Sequence, residues 1–387
     1  MRNSVEHLVI GGGPAGSMLA LRLSAAGRDV MLLEREYEAH HKVCGEFLSR
    51  EAIGYLRRVG IEPLRLGART IQRVCLHRGR RAVLVELPFT ALSLSRSLLD
   101  ERLLETAASA GTEVRRGVCV EKLQSQPEGW TAQLRGGPSI EAKTVFLATG
   151  KHDLNGWPRG SGTQSDLIGF KMHWKLDHAQ TEALCDLMEL FLFCEGYGGL
   201  SLVENGIANL CFVVRRRRLR ETGSSTELLN VIRREVPAIG ERLRSGTPCW
   251  TKPLAISPIP YGHLGKSAHG LWPIGDQAAV IPSFTGDGMS IALHSAELAA
   301  QMYLEGRSPE DYLGCLSRQL RPGMRFASAL SHLMVISAGR RIAPIALALM
   351  PGAMSWIAKR TRIPDRSLLD SRAESEARAG RSSASPA

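Results

Sequence analysis

The stretch VIGGGPAGS, residues 9–17, carries three glycines in the spacing G-x-G-x-x-G, at Gly11, Gly13 and Gly16. An apolar run precedes it and an alanine-rich run, 14–26, follows it, which predicts a strand, a tight turn and a helix. In such a turn the first glycine permits the bend, the second brings bare backbone to a pyrophosphate, and the third lets the helix pack on the strand. The free N–H groups of the helix start favour phosphate. The stretch therefore predicts dinucleotide binding.

A second predicted strand, DVMLLE at 29–34, completes a β-α-β unit. It ends in Glu34, 23 residues after Gly11, where a carboxylate accepts hydrogen bonds from ribose hydroxyls. Strand, helix and acidic strand end together favour a bound nucleotide over an empty glycine turn. Further elements of this layer are predicted at 94–111, 113–120 and 143–150.

Composition limits the class of protein. The chain has 387 residues, 44% of them hydrophobic, which predicts a globular protein of one large two-part domain or two domains. The net charge of +11 fits anionic lipid, phosphorylated ligands or a solvated basic face. With 5% aromatic residues and no nucleic-acid module, we expect no nucleic-acid partner. Eight cysteines without a C-x-x-C pair indicate reduced thiols, no metal site and a cytoplasmic protein, and no secretory signal is recognisable.

The middle of the chain alternates as a β-sheet does. In IGFKMHWKL, 168–176, Phe170 and Trp174 fall on one face and Lys171 and His173 on the other, which predicts an antiparallel sheet with one face covered. We expect the substrate to lie under this sheet, against Phe170, Trp174 and Tyr197. The face with Lys171 and His173 either lines the pocket or meets solvent.

A remote segment decides which dinucleotide is bound. PIGDQAAVIPSFTGDGMSIALHSAELAAQ, 273–301, has Gly275-Asp276 after an apolar strand and Gly286-Asp287-Gly288 opening a helix. The aspartate can accept hydrogen bonds from a ribityl hydroxyl. The helix start can direct N–H groups at a ring oxygen that becomes negative on reduction. These features favour FAD over NAD.

Over residues 5–310 the chain resembles the glutathione-reductase-fold flavoproteins, which include aromatic hydroxylases of the para-hydroxybenzoate hydroxylase type and geranylgeranyl reductases. The segment GD…P…G-x-G carries the resemblance, as do SRSLLDERLL, with Arg96, and VFLATG. The resemblance places Val120 by the adenine and Arg96 near the flavin. The predicted FAD-binding residues are Gly11, Gly13, Pro14, Ala15, Gly16, Glu34, Arg35, Cys44, Arg96, Val120, Gly150, Asp276, Pro282, Gly286, Asp287, Gly288 and Met289.

Two departures from the family patterns matter for the reaction. Thr149-Gly150 stands where many hydroxylases have aspartate-glycine, which leaves NADPH or NADH open as a transient electron donor. KVCGEFLS, 42–49, resembles the C-G-G segment of geranylgeranyl reductases, with Glu46 in place of the second glycine. It also resembles the G-E-S-L segment of flavin halogenase-like proteins, but the W-x-W-x-I-P signature of the halogenases is missing, so halogenation is not expected.

Cys44 and Glu46 are the catalytic candidates. Cys44 either lies over the flavin, as the resemblance to the reductases implies, or is a small buried side chain, as free cysteines commonly are. Glu46 either donates a proton or binds backbone at a helix start.

The sequence thus predicts an α/β protein with a Rossmann-like FAD-binding domain (GR2-type), an antiparallel β-sheet substrate domain and a C-terminal helical segment. The predicted segments are FAD-binding at 1–72, 94–165 and 256–310, a β-hairpin of the substrate domain at 73–93, the substrate domain at 166–255, C-terminal helices at 311–370 and a disordered tail at 371–387.

The predicted function is that of an FAD-dependent oxidoreductase. The first hypothesis is a monooxygenase that hydroxylates an aromatic or lipophilic metabolite. The alternative is a reductase of isoprenoid or lipid double bonds, and a non-catalytic FAD binder is the third. The apolar stretch 342–360, broken by Pro344 and Pro351, is expected to touch a membrane surface or to cover the substrate channel.

Overall fold

The computed structural model describes residues 2–266, 269–336 and 352–368. The strands are β1 (Ser4–Ile10), β2 (Val30–Glu34), β3 (Phe47–Leu48), β4 (Arg69–Arg78), β5 (Arg81–Ser93), β6 (Glu113–Arg116), β7 (Val120–Gln126), β8 (Gly129–Leu134), β9 (Ile140–Leu147), β10 (Leu167–Lys175), β11 (Asp186–Phe193), β12 (Gly196–Leu202), β13 (Ala208–Arg215), β14 (Thr247–Pro248), β15 (Leu254–Ile256), β16 (His263–Leu264), β17 (Trp272–Pro273) and β18 (Ala279–Val280). The helices are α1 (Pro14–Ala25), α2 (Arg50–Arg58), α3 (Arg96–Ser109), α4 (His178–Ala183), α5 (Arg216–Thr222), α6 (Ser225–Glu235), α7 (Pro237–Arg242), α8 (Gly288–Leu304), α9 (Pro309–Val335) and α10 (Ala353–Thr361).

The first sheet grows outward from the predicted β-α-β unit. Its strand order is β6-β2-β1-β9-β8-β7, with β17 paired to β9, and β1 runs parallel to both β2 and β9. Leu8 and Val9 are both fully buried although they point to opposite faces, because helices α1, α3 and α8 cover one face and β7 and β8 fold over the other. Burial on both faces explains the continuous apolar runs of the sequence.

The second sheet has the order β14-β10-β13-β12-β11-β4-β5-β3, with β15 also paired to β10. It is antiparallel as expected, except that β11 and β4 run parallel where the β4–β5 hairpin joins. This hairpin, anticipated at 73–93, already begins at Arg69.

The apolar face of β10 packs away from the first sheet. Phe170, Met172 and Trp174 form a core with residues of α6 and α7, including Leu228 and Ile239. The opposite face is buried as well, with Lys171 fully and His173 almost fully inaccessible. Solvent exposure of that face, one of the two alternatives drawn from the alternation, is therefore wrong.

The described C-terminal region is helical, as predicted. Helix α9 begins with a capping box between Ser308 and Asp311, and α10 crosses it so closely that a Cβ at Gly323 would lie 2.9 Å from the carbonyl oxygen of Thr361. The predicted tail, 371–387, and residues 342–351 of the apolar stretch lie outside the described residues. Of the helices described, none combines the length and the apolar character that a bilayer crossing requires.

Candidate active site

The glycine turn joins β1 to α1, and two of its glycines are required by the protein's own packing. A Cβ at Gly11, where φ is +113°, would lie 2.4 Å from the carbonyl oxygen of Ala148. A Cβ at Gly16 would lie 1.9 Å from the carbonyl oxygen of Gly11. Gly13 differs, because the nearest atoms to a Cβ there are Arg96 Nη2 at 3.6 Å and Lys42 Nζ at 4.0 Å. The space over Gly13 is thus open and faces two cations.

The charge around Gly13 suits a pyrophosphate. Arg96 donates to Asp100 from Nε at 2.6 Å and from Nη2 at 2.7 Å, and Lys42 Nζ lies 3.7 Å from the same carboxylate. Burial works against the charge of Arg96, but Asp100 outweighs it and raises the pKa of the guanidinium. Two cations share one carboxylate, so net positive charge remains beside the N-terminus of α1, where anions are stabilised.

Glu34 lies at the end of β2, as the β-α-β pattern requires. Its Oε2 accepts the N–H of Gly12 at 2.7 Å and its Oε1 accepts the N–H of Glu36 at 3.0 Å. The carboxylate is fixed beside the glycine turn and lines the same cavity, so it is placed to accept ribose hydroxyls.

One cavity of about 640 Å³, here called the central cavity, runs from the glycine turn to the second sheet. The predicted cofactor and catalytic residues that line it are Gly11, Gly13, Pro14, Ala15, Glu34, Arg35, Cys44, Glu46, Arg96, Val120, Gly150, Asp276, Gly286, Gly288 and Met289. Segments more than 250 residues apart in the chain therefore meet around one elongated space. An open cradle at Gly13, cations beside it and carboxylates at Glu34 and Asp276 fit an FAD molecule.

Some predicted residues do not line the central cavity. Gly16 acts through packing, as its place in the motif predicts, and Pro282 precedes the turn at Ser283–Thr285. Phe170 and Trp174 belong to the core between β10 and the helices α6 and α7, so of the three predicted substrate contacts only Tyr197 lines the cavity. The alternation of apolar and polar residues correctly separated the two faces of β10. It could not show which of the two faces lies toward the flavin-binding sheet.

Asp287 is buried beneath the cavity wall instead of lining it. Its side chain is 1% exposed, and its backbone N–H donates to Thr285 Oγ1 at 3.2 Å. Burial raises the pKa of the carboxyl to about 6, against the opposing charge of Arg362. The role predicted for Asp287 thus reduces to shaping the turn before α8.

This burial predicts a pH-dependent stability. Since the folded-state pKa of Asp287 lies above its ordinary value, the folded protein loses stability as pH rises through about 6, and the full penalty applies at neutral pH. Asp287→Asn is therefore expected to raise the free energy of unfolding by about 2–3 kcal/mol near pH 7. Near pH 4 the substitution should leave the free energy of unfolding almost unchanged. Urea unfolding at both pH values measures this, and an equal effect at the two would contradict it.

Glu46 occupies a left-handed backbone conformation, with φ at +57°, and is fully buried. Its carboxylate accepts hydrogen bonds from Lys171 Nζ, from His173 Nε2 at 2.9 Å and from the N–H of Arg96, the first residue of α3, at 2.8 Å. Burial alone would raise the pKa of Glu46, but the bond from His173 and the charge of Lys171 outweigh it and lower that pKa. Glu46 is thus an ionised anchor that binds backbone at a helix start, the second of its two predicted alternatives.

The loop 42–46 is fixed by one internal hydrogen bond and by two from other segments. Glu46 N–H donates to Cys44 Sγ at 3.3 Å, Asn209 Nδ2 donates to the Cys44 carbonyl at 3.2 Å, and Lys151 Nζ donates to the Val43 carbonyl at 3.2 Å. These bonds present the half-buried Cys44 thiol at the wall of the central cavity. The loop thereby couples the second sheet to the glycine turn through Lys42.

Two further rings, those of His41 and Trp250, pack against the cluster formed by Glu46, Lys171 and His173. His41 and His173 lie edge to face, 4.7 Å apart, and both contact Trp250. Burial and the charges of Lys171 and His173 lower the pKa of His41 to about 4. His41, Glu46 and His173 have the spacing of metal ligands, but the Lys171 ammonium already supplies the positive charge that a cation would bring. The site was missed in the sequence because its members come from three separate segments.

Known proteins support the cofactor. A model of the FAD binding domain matches residues 4–146. A menaquinone reductase of Mycolicibacterium smegmatis is 24% identical over 331 residues, covering 79% of this chain and 78% of the relative. A digeranylgeranylglycerophospholipid reductase of Methanoculleus marisnigri is 24% identical, covering 78% and 77%.

The chain is an FAD-dependent oxidoreductase. It has the fold of the glutathione-reductase-type flavoproteins that the sequence predicted. A geranylgeranyl bacteriochlorophyll reductase-like structure from Thermoplasma acidophilum has a TM-score of 0.73 at 18% identity, covering 97% of each chain. The halogenase PltM, solved with phloroglucinol and FAD, has a TM-score of 0.70 at 14% identity, covering 92% of this chain and 85% of PltM. The predicted oxidoreductase class and FAD are thereby confirmed for this flavoenzyme.

Proposed function

We propose that the flavoenzyme is a monooxygenase that hydroxylates an aromatic or lipophilic small molecule bound where the central cavity meets the second sheet. The observation that carries this proposal is the concentration of aromatic side chains there. Three of the nine phenylalanines and two of the six tyrosines of the chain present their side chains to the cavity, namely Phe47, Phe89, Phe284, Tyr197 and Tyr261. An aromatic substrate gains from edge and face contacts with such rings.

The aromatic residues can orient a substrate ring and exclude water. Tyr197 and Phe284 meet edge to face, 5.9 Å apart, and the Tyr261 hydroxyl donates to Ser283 Oγ at 2.8 Å. Burial raises the pKa of both tyrosines, and it raises that of the neighbouring Cys211 thiol to about 12. These side chains therefore stay neutral and present an apolar wall with hydroxyl groups to the substrate.

FAD would supply the redox chemistry, and the protein would supply binding, orientation and a dry environment. The phosphates would lie over Gly13 between Lys42 and Arg96, the ribose at Glu34 and the ribityl chain at Asp276. We further propose that NADPH or NADH reduces the flavin transiently, since the chain has one dinucleotide turn.

The second candidate is a reductase of isoprenoid double bonds. It is favoured by the position of Cys44, whose thiol lines the cavity within the tightly held loop 42–46. The two reductases named above, each similar over more than three quarters of this chain, also support it. Peripheral membrane contact through 342–360 remains a proposal, and within the described part of that stretch Trp356 is half exposed.

Anaerobic reduction of the flavin-loaded protein by NADPH or NADH separates the two reactions. With phloroglucinol as the phenolic probe, we expect faster flavin reduction, and oxygen uptake with formation of a hydroxylated product once air is admitted. If menaquinone reoxidises the reduced flavin without oxygen and loses a side-chain double bond, the reductase is correct and the monooxygenase is not.

A variant of the aromatic wall tests the substrate position. Phe284→Leu keeps most of the side-chain volume but removes the ring, which costs about 1 kcal/mol of aromatic contact. We expect KM for the phenolic probe to rise about fivefold, with little change in flavin content. An unchanged KM would place the substrate elsewhere.

A further inference from the structure

A second cavity, which we call the basic groove, lies between residues 156–163, residues 262–266 and helix α9. It has a volume of about 1330 Å³ and shares no lining residue with the central cavity. Its cationic side chains are Arg159, Lys266, Arg321 and Arg325, and no aspartate or glutamate occurs among the described residues that line it. A cavity of one charge sign concentrates ligands of the opposite sign.

Part of this positive charge is not used by the protein. Arg159 pairs with Asp153 and donates to two backbone carbonyls, so its guanidinium is occupied. Arg321 and Arg325 are exposed and lie one turn apart on α9. Within residues 2–266, 269–336 and 352–368, no carboxylate forms an ion pair with either arginine or with Lys266, and Arg321 donates only to Ser317 Oγ.

A buried hydroxyl beside the groove lacks a hydrogen-bond partner within the described part of the chain. Ser328 is 6% exposed and lines the groove, yet its Oγ has no hydrogen-bond partner among the described residues. Leaving a buried hydroxyl unpaired costs free energy. Since the Oγ itself has almost no accessible surface, an oxyanion in the groove would accept this hydrogen bond after rotation of the Ser328 side chain toward the two exposed arginines and Lys266.

The groove is linked to the flavin site through its wall. Gln277 lines the groove and donates from Nε2 to the carbonyls of Gly150 at 2.8 Å and His152 at 3.0 Å. Arg159 donates from Nη1 to the carbonyl of Asp276 at 3.0 Å. Gly150, His152 and Asp276 line the central cavity, so a ligand in the groove would lie one residue layer from the cofactor.

We propose that the basic groove binds the diphosphate of a small ligand, separately from FAD. Two sources share this chemistry, a nicotinamide dinucleotide and an isoprenoid diphosphate. The groove is large enough for either. The proposal does not depend on which reaction the flavin site catalyses.

Inorganic pyrophosphate is the first probe, titrated by calorimetry into the flavin-loaded protein, where FAD already fills the site at Gly13. We expect saturable binding that weakens as salt is added. The double variant Arg321→Glu/Arg325→Glu should bind about tenfold more weakly or worse. The matched control is Arg220→Glu, an exposed arginine of α5 that lines neither cavity, and it should bind as the unaltered protein does.

Ser328→Ala provides a second, independent variant. Because the hydroxyl has no partner in the described structure, its removal should leave the thermal stability of the ligand-free protein unchanged or raised. Pyrophosphate binding should nevertheless fall about threefold to tenfold, since one hydrogen bond to an anion is lost.

NADPH and geranylgeranyl diphosphate then identify the source, and the ligand whose binding shows the same losses in the same variants is the occupant. No saturable pyrophosphate binding, or equal losses in Arg220→Glu, would overturn the proposal. Binding of the protein to anionic phosphatidylglycerol vesicles, without binding of pyrophosphate, would also overturn it and make α9 a membrane-facing surface.

Discussion

Gly13→Asp is expected to yield a folded protein that has lost its flavin. The backbone of Gly13 has ordinary dihedral angles, φ −75° and ψ −177°, and it is the N-cap residue of α1 without a side-chain cap. Aspartate is among the preferred N-cap residues, and the two cations near this position, Arg96 and Lys42, would attract its carboxylate. The substitution should therefore leave the apoprotein as stable as before or slightly more stable.

The same carboxylate would occupy the space left for the FAD pyrophosphate and repel it. Two unit charges about 4 Å apart at an effective dielectric constant of about 20 interact with about 4 kcal/mol. We expect FAD affinity to fall by about a thousandfold, so that the protein purifies colourless. Visible flavin absorbance measures the occupancy, and circular dichroism with thermal unfolding measures the fold.

Gly137→Asp is the matched control, because Gly137 lies in an exposed turn where a Cβ finds only Leu134, at 3.6 Å. This variant should stay yellow. A fully loaded Gly13→Asp protein would contradict the assignment of the central cavity to FAD. An unfolded one would show that Gly13, like Gly11 and Gly16, serves packing.

The second large effect is expected at Glu46. Glu46→Gln removes the negative charge that Lys171 and His173 contact, while Lys171 has no access to solvent. Removing one partner of a buried ion pair typically costs 3–5 kcal/mol, because the remaining charge is left uncompensated. We expect the free energy of unfolding to fall by about this amount, as measured by urea unfolding.

A double-mutant cycle with Lys171→Met distinguishes charge pairing from general disruption. Each single variant should be strongly destabilised, whereas Glu46→Gln/Lys171→Met should recover about 2 kcal/mol or more relative to the sum of the single losses. The exposed pair of Arg217 and Glu221 serves as control, since Glu221→Gln should cost less than about 1 kcal/mol. Purely additive losses at Glu46 and Lys171 would contradict the buried pair.

The Glu46 variants also report on the flavin site. The loop that ends at Glu46 carries Lys42 to the glycine turn and Cys44 to the cavity wall. Loss of the anchor should therefore weaken FAD binding even at temperatures where the protein stays folded. Retention of full FAD affinity in a folded Glu46→Gln protein would show that the loop is positioned without it.

Short-range sequence patterns were sufficient to predict the nucleotide-binding half of the fold. The turn at Gly11, the helix α1 and the acidic end of β2 depend on residues close in sequence, whose spacing reflects steric limits of a single β-α-β unit. The helix opened by Gly288 was recognised in the same way, from glycines that flank a helix start. Resemblance to known flavoproteins, carried by the motifs of both segments, was enough to assign the two to one FAD site.

The substrate half required the tertiary structure. Alternation separated Phe170 and Trp174 from Lys171 and His173, but either face of β10 could have been turned toward the cofactor. The helices α6 and α7 decide this, because they cover the apolar face and leave the polar one against Glu46. The aromatic wall of Phe89, Tyr197 and Phe284 is likewise assembled from three separate elements.

By itself, the sequence determined that a β-α-β unit binds a dinucleotide and that a β-rich layer accompanies it, because these features follow from short-range spacing, alternation and glycine sterics. FAD was assigned from the remote segment 273–301 and from the resemblance to known flavoproteins. Only the tertiary structure decided that Glu46 is an ionised anchor, that Asp287 is buried away from the ligand, and that a basic groove lies behind the flavin site. The physical reason is that burial and charge pairing depend on which distant segments meet, and residue spacing does not record this.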